Sequence, residues 1–232
     1  MSDWWRPVSR IALRGLLAFV LGSVLLVLVF RVVPVFGSMV MLEREVSSWF
    51  SGEPLDIQQS WRPWDELSDY AKLAVIAAED QRFPQHHGFD LVELRRAIKK
   101  GMNGGSLRGA STISQQTAKN LFLWTGRDWV RKGFEAWFTT LIELLWPKER
   151  ILEVYLNIVE FDRGVFGLQA ASRHYFGVDA DQLSADQAAR LAAVLPNPLE
   201  RSASSPGPTT AGHANWIRRQ MSNLGLGYLD KL

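Results

Sequence analysis

Two adjacent acids, Glu79 and Asp80, close an apolar run, LAVIAA at 73–78. A carboxylate at the C-terminal end of so apolar a helix is partly desolvated and meets the negative end of the helix dipole. Both effects oppose ionisation and raise its pKa toward the range of a general base. The same acids would also serve as helix-end groups paired with Arg82 or a histidine, so the segment alone supports either role. His86 and His87 follow closely. Neighbouring histidines point in different directions and no H-E-x-x-H spacing is present, so a structural or substrate-positioning role is expected and no metal site.

A second constellation is the glycine-rich stretch GGSLRGAST at 104–112, which opens the helix ISQQTAKNLFL. A glycine turn feeding a helix N-terminus offers backbone N–H groups to an anion. The spacing imitates a nucleotide-binding loop, but Ala110 stands where that loop needs lysine and no strand precedes it. Ser111 or Thr112 would also cap the helix. Along it, Gln115 with Lys119 and Gln116 with Asn120 form two polar rows four residues apart. Such rows suit sugar hydroxyls and phosphate oxygens, and they equally suit solvent. A third row, Arg127, Arg131 and Glu135, repeats at the same interval with Lys132 beside it. On a solvated face it is an ordinary salt-bridged helix; on a buried face the guanidiniums would clamp a phosphate.

The elements that must position these groups are mainly helical. Helices are predicted over 68–80, from a capping-box-like Asp90 and Glu93 to about Gly101, and over 111–123, 128–146, 148–159, 165–175, 184–195 and about 214–224. Residues 56–65 read as a connector, and 201–212 as a loop rich in Pro, Ser, Gly and Thr. Near the N-terminus, residues 15–30 carry no charge, and the apolar stretch extends over about 25 residues from Ile11 to Val35 if Arg14 and Arg31 snorkel. No A-x-A site follows, which favours an uncleaved anchor over a signal peptide. Trp4 and Trp5 suit the headgroup zone. Arg6, Arg10 and Arg14 before the span, against Arg31 and Arg44 after it, place the C-terminal domain outside the cytoplasm. Met39, Leu42, Val46 and Trp49 recur at helical spacing, as in an amphipathic segment beside the membrane. The expected organisation is a tail and anchor over 1–37 and one extracytoplasmic domain over 38–232, with 38–60 membrane-proximal.

Composition narrows the function classes. Hydrophobic residues make up 47% of 232, enough for a packed core. The absence of cysteine excludes disulfides, thiolate metal sites and a cysteine nucleophile. A net charge of +2 with a pI near 9.0 gives no support to nucleic-acid binding.

Taken in order, EDQRFPQHHGFD (79–90), GASTISQQTAKNLFL (109–123), RKGFE (131–135), KERILEVYLN (148–157) with GVFGLQAASRHYFG (164–177), and LSADQAARLAAVLPNP (183–198) resemble the monofunctional peptidoglycan glycosyltransferases. The resemblance covers roughly residues 60–225. It implies a lysozyme-like, mainly α domain behind the transmembrane helix, in the bacterial inner membrane with the catalytic domain on the periplasmic side. The implied reaction is inverting transfer from a polyprenyl-pyrophosphate-linked glycan to the 4-hydroxyl of lipid II. Glu79 would be the base, and Glu135 a second essential acid by the donor site. Ser111, Gln116, Lys119, Arg127 and Arg131 match positions lining the pyrophosphate and sugar subsites, and Gln115, Asn120 and Lys132 belong to the same signatures. Asp80, Phe83 and His86 fill the rest of the first motif at the substrate site, mostly as support for Glu79. The family reading admits a divalent cation, Mg or Mn, near the pyrophosphate, and implies as partners lipid II, lipid-linked glycan, the membrane, and wall-synthesis and division proteins.

One departure is Asp162, where the family often has glycine. No S-x-x-K occurs in the chain, so no transpeptidase is expected. Two rivals remain at this stage. A lysozyme-like glycan-cleaving enzyme also uses two carboxylates but needs no pyrophosphate clamp. A non-catalytic scaffold of a wall-synthesis complex would need no base.

Overall fold

The computed structural model describes residues 5–102, 111–126 and 128–232, with side chains from Ser9 onward. Trp4, the side chains of Trp5 and Arg6, residues 103–110 of the glycine-rich stretch and Arg127 therefore lie outside the described residues. The chain divides into two units, Met1–Val33 and Pro34–Leu232.

The first unit is helix α1 (Trp5–Phe30). Its segment Ser9–Phe30, 22 residues of mean hydropathy 2.5, is long and apolar enough to cross a membrane. The expected span ran on to Val35; the helix instead stops at Phe30, since Pro34 has no N–H to donate and disfavours helix in the residue before it.

The second unit begins with α2 (Met39–Ser51), capped by the Ser38 hydroxyl and closed by Gly52 in a left-handed conformation. Within the expected connector lie strand β1 (Gln58–Gln59) and a 3₁₀ turn at Trp64–Glu66. Next come α3 (Asp69–Glu79), α4 (Leu91–Met102), α5 (Ile113–Phe122), α6 (Trp129–Leu145) and α7 (Lys148–Ile158). Strands β2 (Glu160–Asp162) and β3 (Val165–Phe166) follow, then α8 (Leu168–Phe176), α9 (Ala185–Val194) and α10 (Pro208–Leu224).

Two differences from the sequence reading have clear causes. The predicted helix at 165–175 starts only at Leu168, because Val165 and Phe166 pair with both β1 and β2 in a small sheet of order β1-β3-β2. These strands are too short to show alternation. Helix α10 starts at Pro208, inside the predicted loop, because proline is well suited to a first helical turn whose N–H groups have no partner.

The core explains where the chemistry sits. Helix α3 packs against α9 and α10, while α5 packs against α6 and α7. Every residue from Ala71 to Ala77 is buried, and Leu73, Val75 and Ile76 each contribute roughly 1.5–3 kcal/mol by leaving water. That fixes the rotation and depth of α3, and its last residue, Glu79, emerges where the two helix groups meet.

The α3–α5 junction is cross-tied. Asp80 accepts from the Ile113 N–H at 3.1 Å and lies 2.9 Å from His86 Nε2. Thr112 caps α5 through a reciprocal box with Gln115, and its hydroxyl donates to the Gly88 carbonyl at 2.6 Å. Arg44 of α2 grips Glu160 with two donors, Nε at 3.1 Å and Nη2 at 2.8 Å.

Candidate functional site

Glu79 is half-buried, with one carboxylate oxygen accepting from Gln116 Nε2 at 2.8 Å. The Gln116 Oε1 in turn accepts from the Tyr155 hydroxyl at 3.2 Å. Tyr155 is fully buried on α7. This chain fixes the orientation of the Gln116 amide and therefore of the carboxylate. Burial pushes the Glu79 pKa above its ordinary 4.5; the Gln116 donor pulls against that rise, Asp80 adds to it, and Lys119 and Arg201 oppose it. Desolvation wins, as the apolar run before Glu79 led us to expect. Burial likewise pushes the Tyr155 hydroxyl well up, and the Glu79 charge adds to it, so the phenol stays a proton donor.

One turn along α5 from Gln116 is Lys119, half-buried and, among the described residues, without an ion pair. Burial lowers its pKa; Glu135 opposes that, Arg131 and Lys132 add to it, and Glu79 opposes it. The ammonium thus lies in the joint field of Glu79 and of the α6 charges. On α6, Glu135 is 3% exposed and accepts from Arg131 Nη1 at 2.8 Å and from Lys132 Nζ. Asp128 caps the helix by accepting the Arg131 N–H at 2.7 Å, which starts the row in register. Arg131 is 9% exposed, so with Glu135 it forms a buried rather than a solvated part of this row. Its Nε has no partner among the described residues.

Other expected site residues fall into supporting positions. Asp80 joins His86 to the α5 N-terminus. Phe83 is fully buried, with the Lys148 ammonium 4.4 Å from its ring centroid. Gln115 has its amide oxygen committed to the capping box, and Asn120 is buried on the same helix. Ser111 is exposed at the mouth of a cavity of about 280 Å³, lined also by Glu79, Asp80, Arg82, Glu93 and Trp216. Arg127 lies outside the described residues.

Sequence reasoning missed Tyr155, although it sits inside a quoted motif. A tyrosine in a wholly buried helical run needs a partner for its hydroxyl, and that was the available signal. Arg201 and Trp216 were missed too, because only the packing of α9 and α10 on α3 brings them near Glu79.

Asp80, His86 and Asp90 bring ligand-type atoms within 4.8 Å of one another. Most of these groups are engaged, although His86 Nδ1 has no hydrogen-bond partner among the described residues. Asp80 serves His86 and Ile113; Asp90 accepts from the Val92 and Glu93 amides and faces Arg82 at 3.0 Å. Burial pushes Asp90 up, but the Glu93 and Val92 amides and Arg82 outweigh it, and its pKa falls. Both Glu135 oxygens are taken by cations. These donor sets do not fit a divalent ion, and no step is assigned to one.

The Transglycosylase family model matches residues 47–222, which span both charged clusters and the helices that hold them. This chain belongs to the transglycosylase family. A biosynthetic peptidoglycan transglycosylase of Chromohalobacter salexigens is 70% identical over 99% of this chain and 99% of its own length. Proteins of the same description from Pseudomonas fluorescens (63% identical over 92% of this chain and 90% of theirs) and Pseudomonas putida (61%, 91% and 90%) are similar as well. The mainly α domain is accordingly a lysozyme-like transglycosylase domain, and the protein is a peptidoglycan glycosyltransferase of cell-wall synthesis.

Proposed function

We propose that this transglycosylase polymerises lipid-linked disaccharide by inverting transfer, with Glu79 as the base. The acceptor's 4-hydroxyl gives its proton to the Glu79 carboxylate while its oxygen attacks the donor's anomeric carbon. The new C–O bond forms as the bond to pyrophosphate breaks on the opposite face. The polyprenyl pyrophosphate departs with the electron pair, and Lys119, Arg131 and Lys132, joined by Arg127, stabilise the charge it gains. The observation that carries this reading is the partition of charge. Lys119 feels both a raised-pKa carboxylate, held by Gln116, and the Arg131–Lys132 pair organised by the buried Glu135. A cleaving enzyme has no use for that cluster, because its leaving group is neutral once protonated.

Labelled lipid-linked precursor tests the reading. Wild type should build long lipid-linked glycan. Glu79→Gln should keep its fold and lose activity by about 10²-fold or more. Shortening of preformed glycan without polymer, or an unimpaired Glu79→Gln variant, would overturn it.

The protein is further read as anchored by α1, with residues 38–232 as an extracytoplasmic domain on the periplasmic face of the inner membrane. Its substrates would be lipid II and membrane-held glycan, and its partners wall-synthesis and division proteins. The apolar Ser9–Phe30 helix and the arginine bias around it support this placement.

A further inference from the structure

Helix α2 grips two separated parts of the domain with neighbouring side chains. Arg44 holds Glu160 of β2. Glu43, about 100° away around the helix, reaches the turn that joins α5 to α6. Its carboxylate accepts from the Thr125 N–H at 2.8 Å and from the Thr125 hydroxyl at 2.5 Å, 82 positions along the chain. Among the described residues no cation meets that carboxylate. Both oxygens are committed to one neutral residue, which fixes a backbone segment and neutralises no charge.

Little else holds this turn to the body of the domain. Trp124, Thr125, Gly126 and Asp128 are all exposed. Trp124 Nε1 donates to Asp128 Oδ2 at 3.0 Å, and a Cβ on Gly126 would stand 2.9 Å from the Trp124 ring, so the turn is stiff as one piece. Its last residue, Asp128, caps α6 through the Arg131 N–H, and Arg131 donates to Glu135. The first turn of α6 is not held by packing, since Trp129 and Val130 are 91% and 66% exposed. The Phe122–Phe138 stack does join α5 to α6, but Phe138 lies two helical turns beyond Arg131.

We infer that Glu43 is a positioning residue for the cation cluster: by clamping Thr125 it sets where α6 begins, and so where Arg131 and Lys132 stand relative to Lys119. Helix α5 is seated independently by its packing on α7, which leaves the turn as the joint between the two cationic elements. Removing the acid separates positioning from plain electrostatics. A lost negative charge by itself strengthens anion binding at nearby cations, whereas a lost clamp weakens it. The inference rests on the reading of this cluster as the pyrophosphate site, and its test separates the two.

Full-length protein in detergent is assayed for polymerisation with polyprenyl pyrophosphate, the proposed leaving group, as inhibitor. In Glu43→Ala its inhibition constant should rise by roughly three- to tenfold, the scale of one lost hydrogen bond. Glu43→Gln keeps an oxygen for the Thr125 N–H and should recover most of the loss. Glu45→Ala removes an exposed acid from the same helix without touching the turn, and should not raise the constant. Hydrogen exchange reads the geometry without any ligand. In Glu43→Ala a peptide over residues 128–135, whose Arg131 amide is held by Asp128 and not by Glu43, should exchange several-fold faster, with α9 unchanged. An inhibition constant that stays level or falls in Glu43→Ala overturns the inference, as does unchanged exchange over 128–135. If polyprenyl pyrophosphate inhibits Arg131→Ala as strongly as wild type, the cluster is not its site, and the proposed function fails together with the inference. If inhibition is lost in Arg131→Ala but kept in Glu43→Ala, that reading stands and the role of Glu43 alone is rejected.

Discussion

At the scale of single residues, Glu79 has a cost as well as a use. Its folded pKa lies above the ordinary 4.5 because burial disfavours the charge. Ionisation therefore opposes folding, and stability falls as pH rises through the folded value. Glu79→Gln should be more resistant to urea than wild type at neutral pH, with the difference vanishing below 4.5, where the acid is protonated in both states. Denaturation at acid and neutral pH reads this directly; a constant difference would contradict the desolvation argument. Polymerisation should fail on the acid side at a higher pH than an unperturbed carboxylate would give. Tyr155→Phe tests the hydrogen-bond chain behind Glu79, the proposed base. It removes the hydroxyl that orients Gln116, worth roughly 0.5–1.5 kcal/mol, so single-turnover rates should drop by up to about tenfold with substrate affinity unchanged. A change in affinity alone would place Tyr155 in binding instead.

At the scale of elements, the tightest constraint is the approach of α8 to α7. Gly167 has φ of 79° and lies so close to Asn157 that an added Cβ would stand 2.6 Å from its carbonyl oxygen. Asn157 is itself fully buried, its side chain tying the Arg62 backbone to α7 through both N–H and C=O. Gly167→Ala must strain the backbone and displace α7, which carries Tyr155. We expect a loss of at least roughly 1–3 kcal/mol in thermal unfolding, with reduced activity even in the folded fraction. Full stability in this variant would mean that the α7–α8 corner yields freely. The Asp162 departure makes a quieter contact: its carboxylate accepts from the Tyr175 hydroxyl at 2.9 Å, within the β2–β3 corner and away from the charged clusters.

At the scale of the whole molecule, the proposed anchoring by α1 makes the side of the membrane on which the domain lies a testable quantity. Ser222 is exposed near the end of α10, in the unit that carries the site. In intact cells with a permeable outer envelope, a Ser222→Cys thiol should react with a membrane-impermeant maleimide without lysis. Protection until lysis would put the domain on the cytoplasmic side and leave the lipid-linked substrate on the wrong face for it.

The sequence by itself determined much about this protein. Strong 3.6-residue periodicity, helix-capping residues and the all-apolar run before Glu79 specified most helices to within a few residues. They also pointed to the raised pKa of that glutamate, because so apolar a run marks a helix that must be buried. The ordered motifs identified the family as well. Other features belonged to the tertiary structure alone. Whether the Arg131–Glu135 row faced water or the interior depended on which side of α6 met α5, and no residue spacing encodes that choice. The Glu79–Gln116–Tyr155 chain joins residues 37 and 39 positions apart. It exists only because α5 packs on α7 while α3 ends at their edge. Gln115 and Gln116 look equivalent in sequence, yet one closes a cap and the other holds Glu79. A helix turns 100° per residue, and the packing of α5 decided which of the two faced Glu79.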